Sequence, residues 1–392
     1  MRIRPVLFSS FALLCIACIA GCGSTASPGM TADTSPASNA AATTSGTVAY
    51  NFFGYAGSAY SPPGIQEFAM EADGSITNMP GATLADSPAG LTSNGNYLYV
   101  ADEGTQSIRA FRIASSGISP AATTSAAKQG YPVWLFADRS GRTLYSWGGS
   151  GGKNTYAAWS IGANGALTLI DQVPASIHGP WPDAQLTFSG NDEWAYNSAC
   201  IDNAPVYYGF LRSSSGALTA FNTGAATPAG TGGNQWCPTG AAANGSGAVV
   251  IGMNPSQSSA GSLLAVYGIN SSGTLKYLRS TKLPTSPQYL SAYVFDPTGS
   301  WLAAGDGAGL HLYHFVNDVL TLTDTASIQG GVQQIAWDRS GNLYWLGQAC
   351  CGSFAVYSVS SAGKLTEQTA ASNFAPEDYR EEGGTYMTVH PL

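Results

Sequence analysis

The sequence predicts an all-β fold built from a repeated four-stranded unit. Three observations predict it: a recurring strand–turn–strand segment, a shortage of charge, and an abundance of turn-forming residues. Only 10% of the 392 residues are charged, against roughly 25% in an ordinary soluble protein. The 48 glycines and 21 prolines favour tight turns between short strands. Long surface helices and coiled coils are therefore excluded, because they need many Glu, Lys and Arg residues.

The recurring segment is an alternating strand with an aromatic residue, then a glycine turn and a second short strand. Examples are IRAFRIASSGIS (108–119), YYGFLRSSSGALT (207–219) and LAVYGINSSGTLK (264–276). The seven aromatic residues are Phe68, Phe111, Trp159, Phe210, Tyr267, Tyr313 and Tyr357. In six copies a glycine follows six residues later, and in the Tyr313 copy Asn317-Asp318 makes the turn.

Five prolines run in phase with this segment, and each precedes an apolar strand. They are Pro88, Pro132, Pro182, Pro238 and Pro287. Proline lacks an amide donor, so it suits the first residue of a strand. Turn-and-strand segments such as DRSGRTLYSW (138–147) and DRSGNLYWLG (338–347) follow. Each unit thus reads strand A, turn, strand B, loop, strand C, glycine turn, strand D, which is typical of a propeller blade.

The two chain ends predict that the ring of blades closes. The first unit begins at strand B, VAYNFFGYA (48–56), and TYMTVHPL (385–392) provides a strand A with nothing after it. Pairing these segments completes one blade and removes the open edges of the sheets. The predicted fold is therefore a seven-bladed β-propeller of four-stranded antiparallel blades, in one domain over residues 47–392.

These repeats resemble the seven-bladed lactonase-like propellers, a 6-phosphogluconolactonase-type group close to the YVTN-repeat surface proteins. The resemblance is carried by DRSGRTLYSW and DRSGNLYWLG, each followed by an aromatic strand C and a G-x-L-T strand. It covers residues 47–392. It implies the propeller fold, and it implies lactone hydrolysis only as one candidate activity, since one fold hosts many functions.

Residues 1–21 are predicted to be a secretory signal peptide. Arg2 and Arg4 precede an apolar run that is too short for a comfortable membrane span. The run ends in Ile-Ala-Gly-Cys at Cys22, which resembles a bacterial lipobox. The resemblance implies cleavage before Cys22 and a lipid anchor on its sulfur. The alternative is an ordinary signal peptide with a coincidental cysteine.

Residues 22–46 have almost no apolar bulk and are predicted to be a flexible linker behind the anchor. Gly23 after the cysteine, rather than Asp, favours the outer membrane in lipoprotein sorting. We therefore expect a cell-envelope protein that is attached to a membrane only through its lipid. The formal net charge of −8 argues against a nucleic-acid partner, because binding to the phosphate backbone requires positive charge.

The D–A and B–C connections are predicted to meet on one face of the propeller, which we call the D–A/B–C face. They are longer and richer in Trp, Cys, Asp and His than the A–B and C–D turns of the opposite face, so we expect a ligand site there. Candidate ligand contacts are Trp147, Trp181, Trp236, Asp102 and Gln288. Flat aromatic faces with little charge suit a neutral, carbohydrate-like ligand. The alternative is that the tryptophans pack between blades.

Lactonase-type relatives typically place His, Arg or Glu directly after the proline of strand A. Here these positions hold Ala89, Val133, Asp183, Thr239 and Gln288. None is the Arg or Lys that a phosphate dianion requires. His178 and Asp183 are weak candidates for a general base and its orienting group. The alternative is a loop histidine and an aspartate that caps a turn.

No metal ion and no cofactor is expected. Asp102 and Glu103 end a strand B and are weak candidates for binding a cation, because they lack further spaced ligands. The favoured alternative is that both carboxylates are solvated. His311 and His314 are three residues apart on a strand, so their side chains point to opposite faces and cannot share a metal ion.

Four cysteines remain after the leader and the anchor: Cys200, Cys237, Cys350 and Cys351. They allow three pairings. The blade order places Cys200 and Cys237 on one face of adjacent blades, so we expect a Cys200–Cys237 disulfide and a vicinal Cys350–Cys351 bridge. The alternative for the vicinal pair is two reduced thiols.

The function expected from these observations is that of a monomeric binding platform. Its ligand would be a small neutral molecule, with a carbohydrate-like character, or a cell-envelope protein. The alternative is a lactone hydrolase, which rests on the family resemblance alone.

Overall fold

The computed structural model describes the larger part of residues 47–391. The described ranges are 47–53, 64–70, 76–83, 88–102, 104–150, 153–175, 186–189, 191–229, 236–255, 261–284, 290–328, 331–347, 353–373 and 387–391. Thr43–Leu392 form one compact unit. The predicted signal peptide and linker lie outside the described residues.

Within the described ranges every regular element is a β-strand, and the strands form seven four-stranded antiparallel sheets. Sheet 1 contains β1 (Thr47–Phe53), β2 (Gly64–Met70), β3 (Ile76–Thr83) and the C-terminal β28 (Met387–Pro391). Sheet 2 contains β4 (Pro88–Ser93), β5 (Tyr97–Asp102), β6 (Ser107–Ala114) and β7 (Gly117–Ser125). Sheet 3 contains β8 (Tyr131–Ala137), β9 (Thr143–Ser150), β10 (Lys153–Ile161) and β11 (Leu167–Pro174).

The remaining sheets repeat this pattern along the chain. Sheet 4 contains β12 (Thr187–Phe188), β13 (Trp194–Ile201), β14 (Ala204–Arg212) and β15 (Leu218–Phe221). Sheet 5 contains β16 (Trp236–Ala243), β17 (Ala248–Pro255), β18 (Leu263–Ile269) and β19 (Leu275–Lys282). Sheet 6 contains β20 (Leu290–Phe295), β21 (Trp301–Asp306), β22 (Gly309–Val316) and β23 (Val319–Ser327). Sheet 7 contains β24 (Val332–Trp337), β25 (Asn342–Gly347), β26 (Ser353–Val359) and β27 (Leu365–Asn373).

The predicted all-β propeller of four-stranded antiparallel blades is confirmed. Strand A is innermost in each sheet, and innermost strands of successive sheets contact one another, as β4 does with β8 and β20 with β24. Six sheets have an innermost strand of five to eight residues, but β12 of sheet 4 has only two. The predicted count of seven blades therefore needs a correction: six are complete, and the count reaches seven only with the reduced sheet 4.

The C-terminal strand completes sheet 1, where the sequence placed it. β28 pairs with β1 from Thr47 opposite Pro391 to Asn51 opposite Met387. β28 also contacts β4 and β24, the innermost strands of sheets 2 and 7. The first and last segments of the chain thus belong to one sheet.

The repeated aromatic residue of strand C is buried between sheets. Six of the seven side chains are described, and each is at most 7% exposed: Phe111, Trp159, Phe210, Tyr267, Tyr313 and Tyr357. Large aromatic side chains bury more apolar surface than other residues. They therefore account for much of the contact between neighbouring sheets.

The repeated glycine is required by the next sheet as well as by its own turn. Gly273 has φ +80°, a conformation that side chains with a Cβ rarely adopt. A Cβ on Gly273 would also lie 2.4 Å from the Trp194 ring of sheet 4. At the same turn the Tyr196 hydroxyl donates to the Gly273 carbonyl at 2.8 Å, and Tyr145 donates to Gly216 in the same way. In the copy without glycine, Asn317 and Asp318 both take positive φ, as that turn requires.

Candidate functional site

The A–B turns form a hydrogen-bonded framework on one face of the propeller. Asp138, Asp296 and Asp338 each cap their turn by accepting backbone N–H groups, for example from Trp301 to Asp296 at 2.8 Å. Turns of successive sheets are also joined, because Asn94 Nδ2 donates to the Gly141 carbonyl at 3.0 Å. Side chains that are committed to these turns are not available to a ligand. These turn residues therefore have a structural role.

A buried ion pair joins sheets 3 and 4 on the same face. Arg212 Nη2 lies 2.5 Å from Asp138 Oδ2, and Arg212 Nε donates to the Tyr145 hydroxyl at 2.8 Å. Burial raises the pKa of Tyr145 to about 12, so the phenol remains a hydrogen-bond donor. Burial, and then the nearby Asp138 carboxylate, raise the pKa of Asp192 above its usual value. Arg212 is thus paired with Asp138, and its charge only partly offsets the rise in the pKa of Asp192.

The opposite face holds the residues that follow the start of strand A. In sheets 2, 3, 6 and 7 the pairing of strands A and B shifts there by one residue, which leaves Ala89, Val133, Ser291 and Gln333 as bulged residues. Bulges commonly re-aim a side chain near a functional site. Ala89 is buried, Val133 is half-buried, and Ser291 Oγ donates to the Gly305 carbonyl at 3.0 Å. None of these four residues is ionisable.

The bulge corrects the register that the prolines predicted. In sheet 6 strand A begins at Leu290, so the position that corresponds to Ala89 is Ser291 and not Gln288. In sheet 5 Pro238 is the third residue of β16 and pairs with Met253, so it does not open the strand. Proline is tolerated there because β16 is the edge strand of its sheet.

Asp102 is buried and caps a turn, so it is not the solvated carboxylate that the sequence predicted. It is 3% exposed, and its Oδ1 accepts the Thr105 N–H at 3.1 Å. Asp306 ends strand B of sheet 6 at the corresponding position, and it accepts the Ala308 and Gly309 N–H groups. Both carboxylates thus hold B–C turns.

Asp306 also contacts a histidine, a pair that the sequence did not indicate. His311 Nε2 lies 3.1 Å from Asp306 Oδ2, and both residues are at most 2% exposed. His314 lies on the other face of β22, where its ring centroid is 4.5 Å from that of Trp301 and the two rings are tilted by 31°. The described residues contain no group of three or more His, Cys, Asp or Glu that could hold a metal ion.

Two of the three tryptophan candidates are described, and both are buried, so their flat faces are not free to stack on a ligand. Trp147 and Trp236 are 6% and 4% exposed, and they belong to the apolar clusters between sheets. The predicted alternative, packing between blades, therefore applies to both. Their indole Nε1 atoms are nevertheless buried without a hydrogen-bond partner. Tyr131, at the start of β8, is an aromatic residue that is exposed, with 41% of its surface accessible.

Cys200 and Cys237 form the expected disulfide, with Cα atoms 5.0 Å apart. It joins β13 of sheet 4 to β16 of sheet 5. Ser198 Oγ donates to the Gly240 carbonyl at 2.5 Å between the same strands. Since β12 spans only Thr187–Phe188, β16 contacts β13 directly beside this short strand.

Several candidates lie outside the described residues. They are His178, Asp183, Trp181, Gln288, Cys22, Cys350 and Cys351. Their roles stay predictions. Among the residues that the structure does describe, none belongs to a helix with the length and apolar character needed to cross a membrane.

The fold is similar to that of solved lactonase-like propellers. A putative 6-phosphogluconolactonase from Bacteroides fragilis has a TM-score of 0.63 at 15% identity, with 89% of this chain and 99% of that chain covered. A periplasmic gluconolactonase from Pseudomonas aeruginosa has a TM-score of 0.61 at 14% identity, with 82% and 95% covered. A protein from Lactobacillus plantarum has a TM-score of 0.61 at 20% identity, with 88% and 99% covered.

These similarities are structural only. No family model matches the chain, and no curated protein matches it. At such identities the likeness shows the fold, and the chemistry has to be argued from this chain's own residues.

Proposed function

We propose that this chain is an exported propeller whose seven sheets close one ring, and that it binds and hydrolyses an unphosphorylated sugar lactone at the D–A/B–C face. The structural neighbours that carry lactonase names support the lactone, and the periplasmic neighbour supports the compartment. The observation that carries the proposal is the uncharged character of the bulged positions at the start of strand A.

The absence of charge at these positions favours a neutral substrate over a sugar phosphate. A phosphate dianion is held by Arg or Lys through charge-assisted hydrogen bonds. The described bulges hold Ala89, Val133 and Ser291 instead. Of the arginines, Arg139, Arg142 and Arg212 belong to the opposite face, at or beside A–B and C–D turns.

Hydrolysis needs a base that takes a proton from water as the water oxygen attacks the lactone carbonyl carbon. The ring C–O bond then breaks, the ring oxygen leaves as a hydroxyl group with the proton returned, and a hydroxy acid is produced. His178 is the proposed base and Asp183 its orienting group, because they are the titratable pair that the sequence places beside strand A of sheet 4.

Binding without turnover is the second candidate function. It is favoured by the same uncharged bulges, since these bulged positions can contact a neutral ligand but provide no group for proton transfer. A cell-envelope protein partner and a monomeric state belong to this proposal as well.

Turnover separates the two functions. We expect the purified chain to release acid from D-glucono-δ-lactone, measured at constant pH, and to be inactive on the 6-phosphorylated lactone. His178→Ala or Asp183→Asn should lower the rate about 100-fold or more, whereas Asp171→Asn on the exposed outer strand β11 should not. Saturable binding of the lactone without acid release would favour the second function. If the lactone is neither bound nor hydrolysed, both functions are contradicted.

The anchor is a separate part of the proposal. The lipobox-like ending at Cys22 supports a lipid on that sulfur and attachment to the outer membrane. Two or three acyl chains give stable anchoring, where one gives marginal binding.

A further inference from the structure

One outer strand concentrates positive charge on a chain that is acidic as a whole. The chain has 15 Lys and Arg residues against 23 Asp and Glu residues. β19, the outermost strand of sheet 5, exposes Lys276, Arg279 and Lys282, which we call the basic edge. No Asp or Glu occurs between Asp202 and Asp296, a stretch that contains the whole of sheet 5.

The three cations form no ion pair with the residues that the structure describes. Across the strand pair they lie opposite Leu263, Val266 and Gly268 of β18, none of which is charged. The outer strand of the next sheet, β23, carries Asp324, but Lys364 of sheet 7 already lies 3.4 Å from that carboxylate. The basic edge therefore presents unpaired positive charge to the solvent.

Protection of the sheet edge does not explain these cations, although lysine on an edge strand commonly prevents pairing between molecules. The outer strands of the other six sheets hold the same position, and none of them contains Lys or Arg. Three of these strands have no charged residue, and the other three carry one carboxylate each: Asp171, Asp324 and Glu367. Since the fold does not need a cation at this position, the basic edge favours a role in binding.

The layout of the basic edge suits an extended anionic surface and not a small anion. A register shift in the pairing with β18 places Lys276 and Arg279 on the face that includes Val266, towards sheet 6. Lys282 lies on the face that includes Leu263, towards sheet 4. A strand of this length spreads the three positions over about 20 Å. One phosphate group cannot meet all three side chains, whereas a layer of anionic headgroups can.

We propose that the basic edge contacts an anionic lipid surface and orients the propeller against it, which adds a second membrane contact to the lipid. A bilayer is the occupant that the chain favours, because the predicted lipid on Cys22 and a predicted linker of about 27 Å keep the folded unit near a membrane. Anionic headgroups attract the basic edge and repel the acidic remainder of the chain. Three cations bind weakly and reversibly, so the lipid anchors and the basic edge orients. The inference is independent of the proposed lactone site.

Sedimentation with lipid vesicles tests the inference. The predicted mature chain, residues 22–392, carries Cys22→Ser so that no lipid is attached. At low salt it should bind vesicles of equal parts phosphatidylglycerol and phosphatidylcholine, and it should not bind vesicles of phosphatidylcholine alone. Each cation contributes about fivefold to such binding, so Lys276→Gln/Arg279→Gln/Lys282→Gln should weaken it about 100-fold. Salt at about 1 M should abolish binding of the parent, because the screening length falls to about 3 Å.

A matched variant separates the basic edge from net charge. Lys128→Gln/Arg142→Gln/Arg339→Gln removes the same charge from exposed positions elsewhere and should retain most of the binding. Equal losses in the two triple variants, or no binding of the parent to the anionic vesicles, would overturn the inference. Binding of the parent to polyglutamate but not to the vesicles would also overturn it, since the basic edge would then serve an acidic protein.

Discussion

The Cys200–Cys237 disulfide should contribute strongly to the stability of the propeller. The two cysteines are 37 residues apart in sequence. In the chain-entropy description, closing a loop of that length removes about 13 cal/mol/K from the unfolded chain, or about 4 kcal/mol at 25 °C. A domain of roughly 350 residues unfolds with an entropy of about 0.7 kcal/mol/K, so the melting temperature should fall by about 5 °C when the bond is removed.

Differential scanning calorimetry of the Cys200→Ala/Cys237→Ala double variant measures this effect. The parent in reductant should melt like the double variant, and reductant should not lower the melting temperature of the double variant further. Ala is the appropriate replacement because it adds no polar group to the seam between sheets 4 and 5. Equal melting temperatures for the parent and the double variant without reductant would refute the reasoning.

Four further outcomes are expected. Asp192→Asn should raise the melting temperature at pH 7, because burial and Asp138 raise the pKa of Asp192 and so make its charged form unfavourable in the folded state. The gain in melting temperature should shrink as the pH falls through that raised pKa and should vanish below the usual carboxyl range. A gain that does not change with pH would contradict this prediction. Gly273→Ala should lower the free energy of unfolding in urea by about 1–3 kcal/mol more than Gly247→Ala. Both glycines have positive φ, but only at Gly273 would a Cβ meet a neighbouring side chain. Equal losses would exclude the clash. Cys22→Ser should move the protein from the membrane fraction to the soluble fraction. A variant that stays in the membrane fraction would contradict the lipid anchor. Deleting 387–391 should lower the melting temperature strongly, because β1 keeps β2 but loses β28, and an unchanged melting temperature would refute the closure.

The repeat was predictable because its signals are local. The aromatic residue of strand C and the glycine six residues later are set by one strand and one turn, and the structure buries Phe111 and Tyr267 as the pattern indicates. The Asn317-Asp318 turn was also readable, since these residues tolerate positive φ. The pairing of β28 with β1 followed from counting strands in the first and last units.

The positions at the D–A/B–C face were less predictable because they depend on pairing with another strand. Pro287 suggested that Gln288 begins strand A, but the pairing of Leu290 with Asp306 makes Ser291 the bulged residue. The sequence allowed Trp147 and Trp236 either to contact a ligand or to pack between blades, and only the structure shows that neighbouring sheets bury their faces. Composition shows which residues are aromatic but not which neighbour covers them.

The charged contacts between sheets gave no sequence signal. Arg212 and Asp138 are 74 residues apart, and only the stacking of sheets 3 and 4 brings them together. The Asp306–His311 pair lies within sheet 6, where the pairing of β21 with β22 brings the two side chains to 3.1 Å. The disulfide was predictable because blade order alone placed Cys200 and Cys237 on adjacent blades.

The central claim is that the D–A/B–C face binds a neutral sugar lactone, and hydrogen–deuterium exchange with and without D-glucono-δ-lactone tests it most directly. Peptides that cover the start of β8, the end of β9 and the start of β16 should exchange more slowly with the lactone, while the A–B turns at 138–142 and 244–247 should be unaffected. Slower exchange confined to the A–B turns, or no change at any peptide, would contradict the account.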